Sequence, residues 1–259
     1  MTERLRNALE SYRHNTQRAC SKEFAANTLD RIGLADRYMA FDSALGNVFV
    51  AWSPRGISAL RQGENALAFE RWFQKRFSRR AFAASERPEL VDLAARALAG
   101  EKIDLPVDLR ECTPFEAAVL QKAREIPKGH ARPYAWVARE IDHPRAVRAV
   151  GSALANNPIP LLIPCHRVVR SNYTTGDYVF GTAAKRRLLE GEGLHLDEIV
   201  ELARRGVRYI CQPEYKCFCL PTCGTKVVSM AAEVPCFHTA DEALAMGLEP
   251  CSVCRPIAA

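Results

Sequence analysis

The sequence predicts an α+β protein built in three parts, and three observations lead there. Two strand-like runs joined by a Pro/Gly turn occupy residues 41–62, and short helical segments follow one another closely from Pro114. Of ten cysteines, Cys211, Cys217, Cys219, Cys223, Cys236, Cys251 and Cys254 crowd the last fifty residues or so. At 259 residues the chain is long enough for two domains or three small ones. Hydrophobic content of 48% and charged content of 25% are those of a soluble globular protein. No run of 18 apolar residues occurs, and MTERLRNALESYRHN is charged throughout; both predict a cytoplasmic protein with no membrane span and no signal peptide. A net charge of +6 without a block of like charges permits a polyanionic partner but does not demand one.

Residues 1–37 read as an amphipathic helical extension. An N-terminal sheet domain over 38–109 follows, with FDSALGNVFVAWSPRGISALRQ as its strand pair and helices over 64–77 and 88–99. The polar, twice proline-punctuated stretch 100–114 marks the next boundary, which opens a domain over 110–196. Thr113, Pro114 and Glu116 are a helix start with cap, first-turn proline and capping-box acid. Helices are expected over 114–125, 134–141 and 144–155, then over 182–193 with a glycine stop. A linker helix near 195–205 leads into a module over 197–259.

Two features carry chemistry. In LLIPCHRVVRS (161–171), Cys165 stands after an apolar, strand-like run and before His166. A lone cysteine is more often inert and packed than nucleophilic, and strand neighbours face opposite ways, so residue types alone leave both readings open. A nucleophilic thiol needs a base and a carboxylate to orient it, for which Glu192 is a candidate. The helix PRAVRAVGSALA presents Ala146, Ala149, Gly151 and Ala153, with Arg145 and Arg148 as its only charges. That lean face suits close helix packing, or entry into a DNA groove with an arginine reaching further in.

In the tail, Cys219-x3-Cys223 and Cys251-x2-Cys254 are two pairs spaced for one tetrahedral zinc, which a unit this small needs in order to fold. His238 reads as a surface histidine. Cys211, Cys217 and Cys236 are expected to stay unligated, although Cys217 is near enough to compete.

RPYAWVAREIDHPRAVRAVGSALANNPIPLLIPCHRVVRS with GDYVFGTAAKRRLLEGEG resembles the O6-alkylguanine-DNA alkyltransferase (methylated-DNA–protein-cysteine methyltransferase) family across residues 112–193. The resemblance implies a ribonuclease-H-like N-terminal sheet domain and a winged-helix-like catalytic domain. It makes Cys165 the alkyl acceptor, His166 its base through a bridging water, and Glu192 the orienting carboxylate. It further assigns Arg148 as the finger replacing a flipped nucleotide and Tyr134 as a contact to the 3′ phosphate and guanine ring. Asn157 becomes the hinge, Tyr178, Val179, Lys185 and Val168 the pocket, and Arg145, Ala146, Ala149 and Gly151 part of the DNA-facing helix.

The implied function is single-turnover repair of O6-alkylguanine in double-stranded DNA by a monomer. An alkylation-responsive transcription regulator and a non-catalytic lesion binder are the alternatives. Residues 208–256 resemble the zinc module of the Ada alkyltransferases, whose matching cysteine, here Cys219, takes methyl from phosphotriesters. That implies a structural zinc and no organic cofactor. Departures are Ala135 and Trp136 after Tyr134, the missing Asp-Gly turn before Tyr178, a bulky Phe180 at the pocket lip, and a module that follows the catalytic domain instead of preceding it.

Overall fold

A computed structural model describes residues 22–43, 46–224, 231 and 233–257, with backbone alone for 22–26 and 43. Most of the expected 1–37 extension lies outside them. The contacts divide the chain into two compact units, Met1–Asp108 and Leu109–Ala259. Both are mixed α and β.

In the first unit, α1 (Lys22–Arg31) ends at Gly33, whose φ of 74° permits the reversal into β1 (Ala35–Ser43). A strand thus begins inside the stretch read as helical, right after a helix stop. β1 pairs antiparallel with β2 (Gly46–Ser53), and β2 with β3 (Gly56–Gln62). The turn needs Gly56: its φ is +130°, and a Cβ there would lie 2.3 Å from the Pro106 carbonyl oxygen. α2 (Ala66–Phe77) returns the chain to β4 (Arg80–Ala83), which adds parallel to β1 and completes the order β3-β2-β1-β4. The expected pair is therefore the antiparallel part of a four-stranded sheet. Tyr38, Phe49, Phe69, Phe73 and Phe77 form its core with α2, each contributing roughly 1.5–3 kcal/mol by burial. Asp36, fully buried, is held by Arg79 at 2.7 Å and by the Ser58 hydroxyl. α3 (Glu89–Leu98) closes the unit.

The second unit opens with α4 (Pro114–Arg124), capped as expected by the reciprocal Thr113–Glu116 bonds. β5 (Arg132–Pro133) runs directly into α5 (Tyr134–Glu140). α6 spans Val147–Ala155, three residues later than expected, because His143 and Ala146 close a turn and Ala146 becomes the non-helical cap. The strand-like 161–163 run is not a strand. Leu161 takes a positive φ, and Cys165–Arg167 form a 3₁₀ turn that leads into β6 (Val168–Val169), parallel to β5. α7 (Thr182–Gly191) and α8 (Leu196–Arg204) follow. A small sheet in the order β10-β8-β7-β9 then forms from β7 (Tyr209–Gln212), β8 (Cys217–Cys219), β9 (Cys236–Phe237) and β10 (Glu249–Pro250), with α9 (Ala240–Ala245) packed on it. Among the described residues, no helix is long and apolar enough to cross a membrane.

Candidate functional site

Cys165 sits in a one-turn 3₁₀ segment whose geometry is set by its neighbours. Asn157 donates from Nδ2 to the Ile163 carbonyl at 2.9 Å and to the Cys165 sulphur at 3.1 Å, while its Oδ1 accepts from the Ile159 amide at 2.9 Å. One buried amide therefore ties the end of α6 to the cysteine turn. Cys165 is 4% exposed, and burial raises its thiol above the ordinary value, opposed by the Asn157 hydrogen bond and the charge of Lys185. The thiol is held neutral until a base takes its proton.

His166, adjacent in the same turn, is also buried. Its Nε2 meets Glu192 Oε1 at 3.0 Å, and its Nδ1 is buried with no hydrogen-bond partner among the described residues. Burial lowers the imidazole pKa more than Glu192 raises it, leaving a neutral ring with one free nitrogen. Burial alone would raise Glu192, but hydrogen bonds from His166 and Arg167 overcome that and hold it at about 2. Arg167 grips the carboxylate with Nε at 2.9 Å and Nη2 at 2.8 Å, and the Gly129 amide adds a donor at 3.3 Å. Sequence reading paired His166 with Glu192 but missed Arg167. Its place two residues beyond Cys165 was the available signal.

Cys165 opens onto a cavity of about 510 Å³ lined with Tyr134, Arg148, Gly151, Arg170, Tyr178 and Val179 among others. Of the expected residues, Val179 is half exposed at this opening, and Arg148 and Ala149 are exposed on α6. Arg145, also exposed, belongs to the preceding turn, and Ala146 is the cap. Val168 and Lys185 stand behind the wall. Val168 is a fully buried side chain whose carbonyl accepts from Lys185 Nζ at 2.6 Å. The ammonium lies 5.6 Å from the Tyr134 ring centroid, and burial brings it down to about 8. Burial likewise raises the Tyr134 and Tyr178 phenols. Gly176, with φ +70°, admits the Tyr134 hydroxyl, which a Cβ would meet at 3.3 Å. Arg170 and Asp177 also line the cavity and had no sequence signal beyond proximity to Cys165.

Cys219, Cys223, Cys251 and Cys254 converge as expected, all buried and with every sulphur within 4.8 Å of the others. Four thiolates about 2.3 Å from one zinc stand about 3.8 Å apart, so the cluster fits that ion. A hydrogen bond from Cys219 already brings the Cys251 thiol down to about 6. These four cysteines form a structural zinc site. Cys219, on β8, is 3% exposed. His238 is exposed. Cys211 and Cys236 stay apart from the cluster, and Cys217 borders it through Cys219 and Cys251.

Residues 114–194 match the family described as 6-O-methylguanine DNA methyltransferase, DNA binding domain, and residues 203–256 match the metal binding domain of Ada. The chain is 37% identical over 166 residues to the bifunctional transcriptional activator/DNA repair enzyme Ada of Escherichia coli, covering 61% of this chain and 46% of that one. It thus spans about half of that relative's length. Against the methylated-DNA–protein-cysteine methyltransferase of Methanothermobacter thermautotrophicus it is 32% identical, covering 58% of this chain and 82% of the relative. The crystal structure of Mycobacterium tuberculosis OGT in complex with DNA is 32% identical, covering 60% of this chain and 92% of that one, with a TM-score of 0.49.

Proposed function

The chain belongs to the methylated-DNA–protein-cysteine methyltransferase family, and from that premise we propose that it repairs DNA by moving a methyl or small alkyl group from O6-alkylguanine to Cys165. The observation that carries this reading is a buried thiol, hydrogen-bonded to Asn157 and beside a neutral imidazole, at the base of a cavity rimmed by Tyr134 and Arg148.

The steps balance simply. The Cys165 proton leaves through a bridging water to His166 Nδ1, and Glu192 stabilises the imidazolium. The sulphur attacks the alkyl carbon, the bond from that carbon to guanine O6 breaks, and the electron pair leaves with the base. Tyr134 donates to a ring nitrogen, and the proton lost from the thiol ends on guanine. Because the base lies inside the duplex, it must rotate out, with Arg148 on α6 filling the gap. A thioether has no easy exit, so each molecule acts once.

Cys219, Cys223, Cys251 and Cys254 would hold the zinc, whose two positive charges would offset half of the four thiolate charges and whose binding would supply folding energy. The order β3-β2-β1-β4 supports a ribonuclease-H-like N-terminal domain over 38–109, and α5, α6 and β6 support a winged-helix-like domain over 110–196. The module over 197–259 completes a monomer whose reduced thiols suit the cytoplasm. Intact-mass analysis after incubation with a methylated-guanine duplex tests the reading. One methyl increment on the peptide containing Cys165, absent in Cys165→Ser, is expected; an increment located elsewhere would sink it.

A further inference from the structure

Residues 130–136 carry Tyr134, which lines the acceptor pocket, and they also reach both halves of the zinc cluster. Ala131 and Thr222, which neighbours the ligand Cys223, exchange two bonds: the Ala131 amide donates to the Thr222 carbonyl at 3.0 Å, and the Thr222 hydroxyl donates to the Ala131 carbonyl at 2.7 Å. His130 hydrogen-bonds the Cys223 sulphur; its Nδ1 has no partner, so Nε2 is the donor. Arg132, 1% exposed, sends Nη1 to the Thr222 carbonyl at 3.3 Å and Nη2 to the Val253 carbonyl at 3.5 Å. The Trp136 indole donates to the carbonyl of the ligand Cys254 at 2.7 Å. The Arg132 and Arg255 guanidinium groups both lie over its ring, 5.6 and 5.5 Å from the centroid.

Inward, these residues shape the reaction site. Arg132 and Pro133 are β5, paired with β6, and β6 directly follows the Cys165–Arg167 turn. Tyr134, which lines the cavity, stands between Arg132 and Trp136. Without metal, the turns at 219–223 and 251–254 lose their central tie, and the buried Arg132 guanidinium stands to lose the Thr222 and Val253 acceptors, keeping only the Ala131 carbonyl at 2.8 Å among the described residues.

We propose that the zinc module braces the acceptor pocket, with Trp136, Arg132 and His130 as positioning residues that couple metal occupancy to the placement of Tyr134 and Cys165. This accounts for Trp136, a departure from the family pattern. The inference rests on Cys165 being the acceptor.

The test uses the full chain. Zinc release to a chromophoric chelator is timed for wild type, Trp136→Phe and Thr222→Val. Transfer to Cys165 from free O6-benzylguanine is then timed for zinc-loaded and zinc-stripped wild type, and tryptophan fluorescence is followed during stripping. Both variants should release zinc at least about fivefold faster, and stripped protein should react at least about fivefold slower, as expected for loss of about one net hydrogen bond. The fluorescence change on stripping should vanish in Trp136→Phe. Unchanged release in both variants, or stripped protein reacting at the loaded rate, would overturn the coupling. If loaded wild type transfers nothing, the acceptor assignment fails, while the release rates still judge the brace. Thr222→Val removes a single hydroxyl, so it keeps the test decisive should Trp136→Phe fold poorly.

Discussion

Replacing Glu192 with glutamine removes one charge from a site where two groups depend on it. Holding the carboxyl at about 2, against an ordinary 4.5, amounts to about 3 kcal/mol of folding stability at pH 7. The side chain is only 11% exposed, so solvent screening subtracts little from that figure. Because the folded-state value lies below the ordinary one, the contribution is complete above about pH 5 and fades as pH falls toward 2. At pH 3 roughly 1.4 kcal/mol remains. Denaturant unfolding of wild type and Glu192→Gln should therefore differ by an amount that shrinks by about 2 kcal/mol between pH 7 and pH 3. The amide still accepts from His166 but no longer offsets an imidazolium, so transfer to Cys165 should slow roughly 10²-fold, within the range of general-base assistance. A stability difference that stays constant with pH would show that the carboxylate is not the charged partner of His166 and Arg167.

Arg148→Ala should slow repair of duplex DNA by at least about tenfold more than it slows reaction with free O6-benzylguanine, because only the duplex requires base flipping, a cost of a few kcal/mol; equal losses on both substrates would remove Arg148 from that role. Lys185→Met should raise stability near neutral pH by about 1–3 kcal/mol, since burial brings the ammonium down to about 8 and its cost, present below that pH, is relieved as pH rises toward 10.5. The same change should slow transfer, because the Lys185 charge favours the Cys165 thiolate. Unfolding curves at pH 7 and 10, with transfer rates alongside, check both halves.

The parts of the site that were legible in the sequence are those whose partners lie close in the chain or whose spacing is itself the chemistry. The capping box at Thr113 and Glu116 and the two cysteine pairs needed no fold to be recognised. The helices over 66–77 and 182–191 followed from periodicity and a glycine stop. What escaped depended on distant contacts. β1 and β4 pair in parallel across more than forty residues, and β4 is too short to signal itself. The 161–163 run looked like a strand because Leu-Leu-Ile alternates nothing and buries itself in either state; the positive φ at Leu161 and the Asn157 clasp decided for a turn.

Trp136 shows the same limit at the level of function. Beside Tyr134 it read only as a departure from the family pattern. Its partner is the Cys254 carbonyl, 118 positions away, and Arg132 reaches Val253 across 121. A buried arginine and a buried indole each need polar partners, and here those partners lie beside metal ligands. The unusual order of the two modules is thus compatible with the family's chemistry for a physical reason: placed after the catalytic segment, the zinc unit can return to the segment that carries Tyr134 and supply acceptors to Arg132 and Trp136.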